Sequence, residues 1–312
     1  MKTTGNKIAL SVFFSIIALA SVSAQEKIIR LTGAKFTYPV IEKWIAEYQR
    51  ENSLTKVRFE INKNNAENSD FQIIAHHPQE SELTDEQSVT FVGRYALLPV
   101  TNPNNPLLGE LKKGISAKDL KDLIFEKSLD DEDAFSDEEQ KEKYTATIYT
   151  RDSKSSTTIA LAGYFGHEPE QIKGKKIIGD DIFLLNAIRK DVSGLTFNSL
   201  NYVFDVNTRR LRQDLSILPL KVKSHQQEAL KSGDIDQTIS LLEETAIESI
   251  PVEKFGFVIP AAYAKNEDVI DFISWILNNG QKYNNELGFL RLDNRSLAVQ
   301  KAQLKEEYLS LK

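Results

Sequence analysis

The run Arg151-Asp152-Ser153-Lys154-Ser155-Ser156-Thr157 sets one permanent cation and a cluster of hydroxyls directly before an apolar, helix-like stretch from Thr158 to Phe165. These residue types in this order suit a small oxyanion. Hydroxyls and free N–H groups at a helix N-terminus donate hydrogen bonds, the helix dipole favours negative charge there, and arginine adds a fork of donors. Serine and threonine at this position also serve as plain N-caps, so the run gains meaning only from the rest of the chain.

Little other chemistry competes with it. His76 and His77 are adjacent, and neighbours on a strand point to opposite faces, so the pair does not chelate one ion in the ordinary way. His167 and His225 have no ligand pattern nearby. No GxSxG elbow, P-loop or dinucleotide fingerprint occurs, and no nucleophile–base pair follows from spacing. The expectation is therefore a protein without catalytic residues, metal or cofactor. Arg209-Arg210-Leu211-Arg212 is basic but lacks interleaved aromatics, which reads as a solvated face rather than a nucleic-acid surface.

The N-terminus speaks to compartment. Lys2 and Lys7 precede an apolar stretch from Ile8 to Val22, and Ser21-Val22-Ser23-Ala24 offers small residues where a signal peptidase cuts. Residues 1–24 read as a cleaved secretory signal, which places the mature protein in the periplasm. The chain of 312 residues has no cysteine, so there is no lipid-acceptor cysteine, disulfide framework or thiolate site. Removing the signal takes the formal charge from −6 to −8, which argues against nucleic acid as a partner. Much of the acidity lies in 130–139, inside the second of two polar stretches, Asn62 to Asp70 and Ser128 to Lys143, that read as long surface connections.

The elements that must position the Arg151 run alternate. Strands are expected at Lys27–Leu31, Lys56–Ile61, Phe71–Ala75, Phe91–Val100, Thr145–Tyr149 and Phe255–Ile259. A helix beginning near Pro39 puts Val40, Ile41, Trp44, Ile45 and Tyr48 on one face, and further helices are expected at Ala117–Ile124, Ile182–Ile188, Gln237–Glu244, Glu267–Asn278 and Ser296–Leu309. This order predicts an α/β fold with mainly parallel sheets and ligands beyond the carboxyl ends of the strands.

Three motifs then resemble one family. Gly33-Ala34-Lys35-Phe36-Thr37-Tyr38-Pro39, leading to Lys43-Trp44, is similar to the opening turn and helix of the substrate-binding proteins of phosphate ABC transporters. The Arg151 run, with Ser155 and Thr157 at the family's spacing, resembles its Arg…Gly-Ser-Gly-Thr signature. Phe272-Ile273-Ser274-Trp275, Asn279-Gly280-Gln281 and Leu287-Gly288-Phe289 resemble its closing helix and turn. The resemblance implies a two-lobed type II periplasmic-binding-protein fold with two crossover strands: 25–97 and 255–312 in one lobe, 98–254 in the other. Phe91–Val100 and the stretch before Phe255 would form the hinge. It also implies ligand-binding roles for Lys35, Phe36, His76, Arg151, Ser155, Ser156 and Thr157, with Thr196 and Asn198 on a turn lining the cleft.

The departures are specific. Lys35 stands where the family has a donating threonine, and the polar stretch after Ile61 replaces a Ser-Gly-Gly donor loop. His76 follows the third strand where the family has its ligand-reading aspartate. An ionised carboxylate only accepts, so it selects an oxyanion that still carries a proton; without it, phosphate and sulfate are expected to compete on comparable terms, or neither to bind well. Lys35 and Lys154 would make the cleft more cationic, unless they point into solvent. Two functions follow from the whole: a monomeric solute-binding protein capturing phosphate or a related oxyanion for an ABC transporter permease, or a degenerate binding-protein fold acting as an interaction module in an envelope complex.

Overall fold

A computed structural model describes residues 27–53, 57–63, 69–84, 86–126 and 143–309. The signal-like N-terminus, most of the polar stretch after Ile61 and the acidic stretch after Ser128 lie outside the described residues.

Eleven strands are present among the described residues: β1 Lys27–Gly33, β2 Val57–Ile61, β3 Phe71–Ile74, β4 Gln87–Thr101, β5 Thr147–Arg151, β6 Lys175–Ile177, β7 Gly194–Ser199, β8 Phe204–Asp205, β9 Arg210–Leu211, β10 Ser216–Ile217 and β11 Val252–Pro260. Apart from the small β8-β9 hairpin they follow one path, β2-β1-β3-β11-β4-β7-β5-β6, with β10 also paired to β4. Each end of the path has a parallel core, β2-β1-β3 and β7-β5-β6. Antiparallel pairing is confined to the joins around the long strands. β4 lies against β11 as far as Ala96 and against β7 from Leu97 onward, so one continuous strand serves both halves. This is the two-lobed α/β fold expected from the motifs, with β4 and β11 as its crossing strands. The path is unbroken because β4 belongs to both sheets.

Hydrophobic periodicity sets the layers. The helix Tyr38–Glu51 starts with Pro39 in its first turn and buries Tyr38, Val40, Ile41, Trp44, Ile45 and Tyr48. Trp44 is fully buried, stacks on Phe255 of β11 at 5.9 Å, and donates its Nε1–H to the Gly280 carbonyl at 2.9 Å. Its indole therefore ties the first helix to a crossing strand and to the turn after the helix Glu267–Asn278. Phe59 of β2 stacks on Phe272 of that same helix at 4.2 Å, closing the other side of the layer. In the second half the helices Ser156–Phe165 and Ile182–Lys190 cover β5 and β7.

The Arg209–Arg212 patch is not a free solvated face. Arg209 pairs with Asp236 and donates to the carbonyls of Asn285 and Glu286, Arg210 lies 3.5 Å from Asp234, and Arg212 donates to the Tyr202 carbonyl at 2.9 Å. These bonds anchor the β8-β9 hairpin to the helix Ile235–Glu244 and to the closing turn. Spacing alone cannot reveal such partners, because they lie 10 to 77 residues away in sequence.

Candidate functional site

Residues with the right chemistry gather at the carboxyl ends of parallel strands, the place where open α/β sheets bind ligands. Lys35 and Phe36 follow β1, His76 follows β3, Arg151 ends β5, and Asp181 follows β6.

The turn after β1 is fixed by Gly33. Its φ is +138°, and a Cβ there would fall 2.0 Å from the Ile73 carbonyl oxygen, so the close approach of β1 to β3 requires glycine. Thr37 then closes the turn by donating its hydroxyl to the Ala34 carbonyl at 2.6 Å. Phe36 is buried between Tyr95 and Phe289, and its carbonyl accepts the Asn201 side-chain amide at 2.8 Å, a contact between the two halves of the molecule. Lys35 is exposed and pairs with no carboxylate among the described residues.

The Arg151 run folds as an Asx turn into a helix. Asp152 accepts the Lys154 amide on its side chain at 3.1 Å and the Ser155 amide on its carbonyl at 3.1 Å, which turns β5 sharply into the helix Ser156–Phe165. Ser155 occupies the N-cap position, yet its hydroxyl bonds the Thr158 hydroxyl at 2.8 Å rather than a backbone amide. Among the described residues, the backbone N–H groups of Ser156 and Thr157 have no acceptor. Gly166 ends the helix in the left-handed conformation, φ 73°. Lys154 is exposed.

Arg151 crosses this N-terminus. Its side chain is 15% exposed, and its closest carboxylate contacts are loose, 3.6 Å to Asp181 and 3.8 Å to Asp152. Its Nε is buried and has no acceptor. Asp181 was not singled out in the sequence. It is 7% exposed, accepts the Thr157 hydroxyl at 2.7 Å, and has its own carbonyl bonded by the Asn198 side-chain amide at 2.8 Å. Burial pushes its carboxyl above the ordinary aspartate value, against the lowering effects of the Thr157 hydrogen bond and the Arg151 charge.

His76, 6% exposed, reaches across from the other half. Its Nδ1 is 3.0 Å from Ser156 Oγ and its Nε2 is 2.8 Å from Glu82 Oε2. The neighbouring His77, also beyond the end of β3, is exposed and sets its ring 4.7 Å from that of Phe91.

The structure thus brings Arg151, Ser156, Thr157 and His76 together, and adds Asp181 and Glu82. One expectation is corrected. Gly194–Ser199 is not a cleft turn but strand β7, buried along its whole length between β4 and β5. A polar residue paired on both sides must find internal partners. Accordingly Thr196 donates to the Tyr149 carbonyl at 2.7 Å, and Asn198 bonds the Asp181 carbonyl and the Ser199 amide, so both position the site. Lys35 lies exposed. Of the missed residues, Glu82 carries no signal in the sequence, because only the turn of the chain returns it to His76. Asp181 follows a short strand and sits beside a second aspartate, which is a weak one.

No protein-family model matches the sequence, and no curated protein is similar to it in sequence. Solved structures do share its fold. A protein of Clostridium perfringens assigned as a phosphate ABC transporter substrate-binding protein, with phosphate bound, superposes with a TM-score of 0.56 at 16% identity over 86% of this chain and 100% of its own. An ABC-type phosphate transport receptor from Vibrio cholerae gives 0.54 at 12% identity, over 85% and 100%. The fold is that of substrate-binding proteins of ABC transporters, as the motif resemblance implied. Among the described residues, no helix is long and apolar enough to cross a membrane.

Proposed function

We propose that this protein captures phosphate or a related oxyanion in the cleft between its lobes and delivers it to a membrane ABC transporter, binding without catalysing a reaction. The carrying observation is Arg151: a partly buried side chain whose Nε is buried and unbonded, beside two unbonded amides at a helix N-terminus. Leaving such donors unpaired typically costs about 1–3 kcal/mol each, and an oxyanion would satisfy them together. The solved neighbours named for phosphate transport support the same reading at the level of fold. We place the lobe boundaries at 25–97 with 255–312 and at 98–254, and the hand-over of β4 between partners at Ala96 and Leu97 supports the first of them. Residues 1–24 would be removed as a signal, leaving a monomeric periplasmic protein that begins near Gln25.

One observation favours the second reading, an interaction module in the envelope. Three hydroxyls expected to face the anion already have protein partners: Thr157 with Asp181, Ser155 with Thr158, and Ser156 with His76. Calorimetric titration with phosphate, sulfate and an organophosphate separates the two. Saturable binding of any one supports the solute-binding role, and the absence of heat with all three supports the module.

A further inference from the structure

The four atoms that join Glu82, His76 and Ser156 impose a direction on their hydrogen bonds. A carboxylate only accepts, so the imidazole nitrogen facing Glu82 at 2.8 Å, Nε2, carries the proton. In a neutral imidazole the other nitrogen, Nδ1, is then a lone pair, and Ser156 Oγ at 3.0 Å must donate to it. The only hydroxyl hydrogen of Ser156 is thereby committed, and what its oxygen offers the cleft is lone pairs. A group at a helix N-terminus, otherwise surrounded by donors, becomes an acceptor.

We propose that the Glu82–His76–Ser156 chain is the specificity device of this cleft: it makes Ser156 Oγ accept a hydrogen bond from the proton of a protonated oxyanion, such as hydrogen phosphate, and reject a fully deprotonated one such as sulfate. The proposal rests on the oxyanion reading of the site. It places an acceptor where the sequence, having lost the family's aspartate, showed none. Sulfate would face Ser156 with lone pair against lone pair, while hydrogen phosphate completes a chain running from ligand to Ser156, His76 and Glu82.

The test is the ratio of sulfate to phosphate dissociation constants for the purified protein at pH 7.5, compared with Ser156→Ala. A site built to bond a ligand hydroxyl discriminates strongly, so the wild type should favour phosphate by at least about 30-fold and Ser156→Ala by less than about fivefold. Independently of any variant, a nitrogen-15 spectrum of His76 at pH 7.5 should show the proton on Nε2. Phosphate binding with a ratio near one, a ratio unchanged in Ser156→Ala, or a proton on Nδ1 overturns the relay and leaves the oxyanion site standing. Failure of phosphate, sulfate and an organophosphate all to bind overturns the oxyanion reading, and the relay with it.

Discussion

Glu253 gives a sharp test of how charge is buried between the crossing strands. It lies on β11 directly opposite Tyr95 of β4, and its charge reaches Tyr95 and also Tyr164 on the helix that carries the anion site. Burial pushes its carboxyl from the usual 4.5 up to about 7, against the lowering effects of the Lys254 charge and amide. The folded chain therefore holds this proton more tightly than the unfolded chain. The stability it contributes is fully present below pH 4.5 and is lost as pH rises through about 7. At about 1.4 kcal/mol per pH unit the gap corresponds to roughly 3 kcal/mol, and residual solvent contact brings the expected effect to about 1–3 kcal/mol. Glu253→Gln mimics the protonated carboxyl and does not titrate. Urea denaturation should find the variant about as stable as the wild type at pH 4.5, and more stable by about 1–3 kcal/mol at pH 8. An equal difference at both pH values, or a variant less stable at pH 8, would show that Glu253 is solvated or paired and refute the argument.

Trp44→Ala should destabilise the protein by about 3–5 kcal/mol in the same assay, since it removes a fully buried indole and leaves the Gly280 carbonyl without its donor. Gly33→Ala should cost at least about 2 kcal/mol, because a Cβ would meet the Ile73 carbonyl and the backbone conformation is one that alanine avoids. Asp181→Asn keeps an acceptor for Thr157 but removes a negative charge 3.6 Å from Arg151. Removing a like charge beside a bound anion is worth on the order of 1 kcal/mol, so calorimetry should find oxyanion binding tightened several-fold.

The fold was legible where periodicity is strong. The helix at Tyr38–Glu51 buries each of the five residues its apolar face named, and the helices at Ala117–Ile124 and Glu267–Asn278 have the expected limits. Sequence position misled at Gly194–Ser199. There a cleft turn was expected by analogy, whereas pairing with β4 and β5 extends the segment into a buried strand. The site was legible in part. Arg151 and the helix that follows it carry a local signal, because Asx turns and N-termini are built from consecutive residues. Asp181 and Glu82 lie 30 and 6 residues from the groups they serve, Arg151 and His76, and only the folded chain brings them there. The same holds for the hydroxyls: spacing places Ser155 and Thr157 at the N-terminus, but does not say that their oxygens are taken by Thr158 and Asp181.

The central claim is that Arg151 and the N-terminus of the helix Ser156–Phe165 hold an oxyanion. Its most direct test is a calorimetric titration of phosphate into the wild type and into Arg151→Ala side by side. One charge-assisted bond is worth roughly 1.5–3 kcal/mol, so the wild type should bind saturably and Arg151→Ala more than about tenfold more weakly. Absence of binding by the wild type, or an affinity unchanged by Arg151→Ala, would contradict the account.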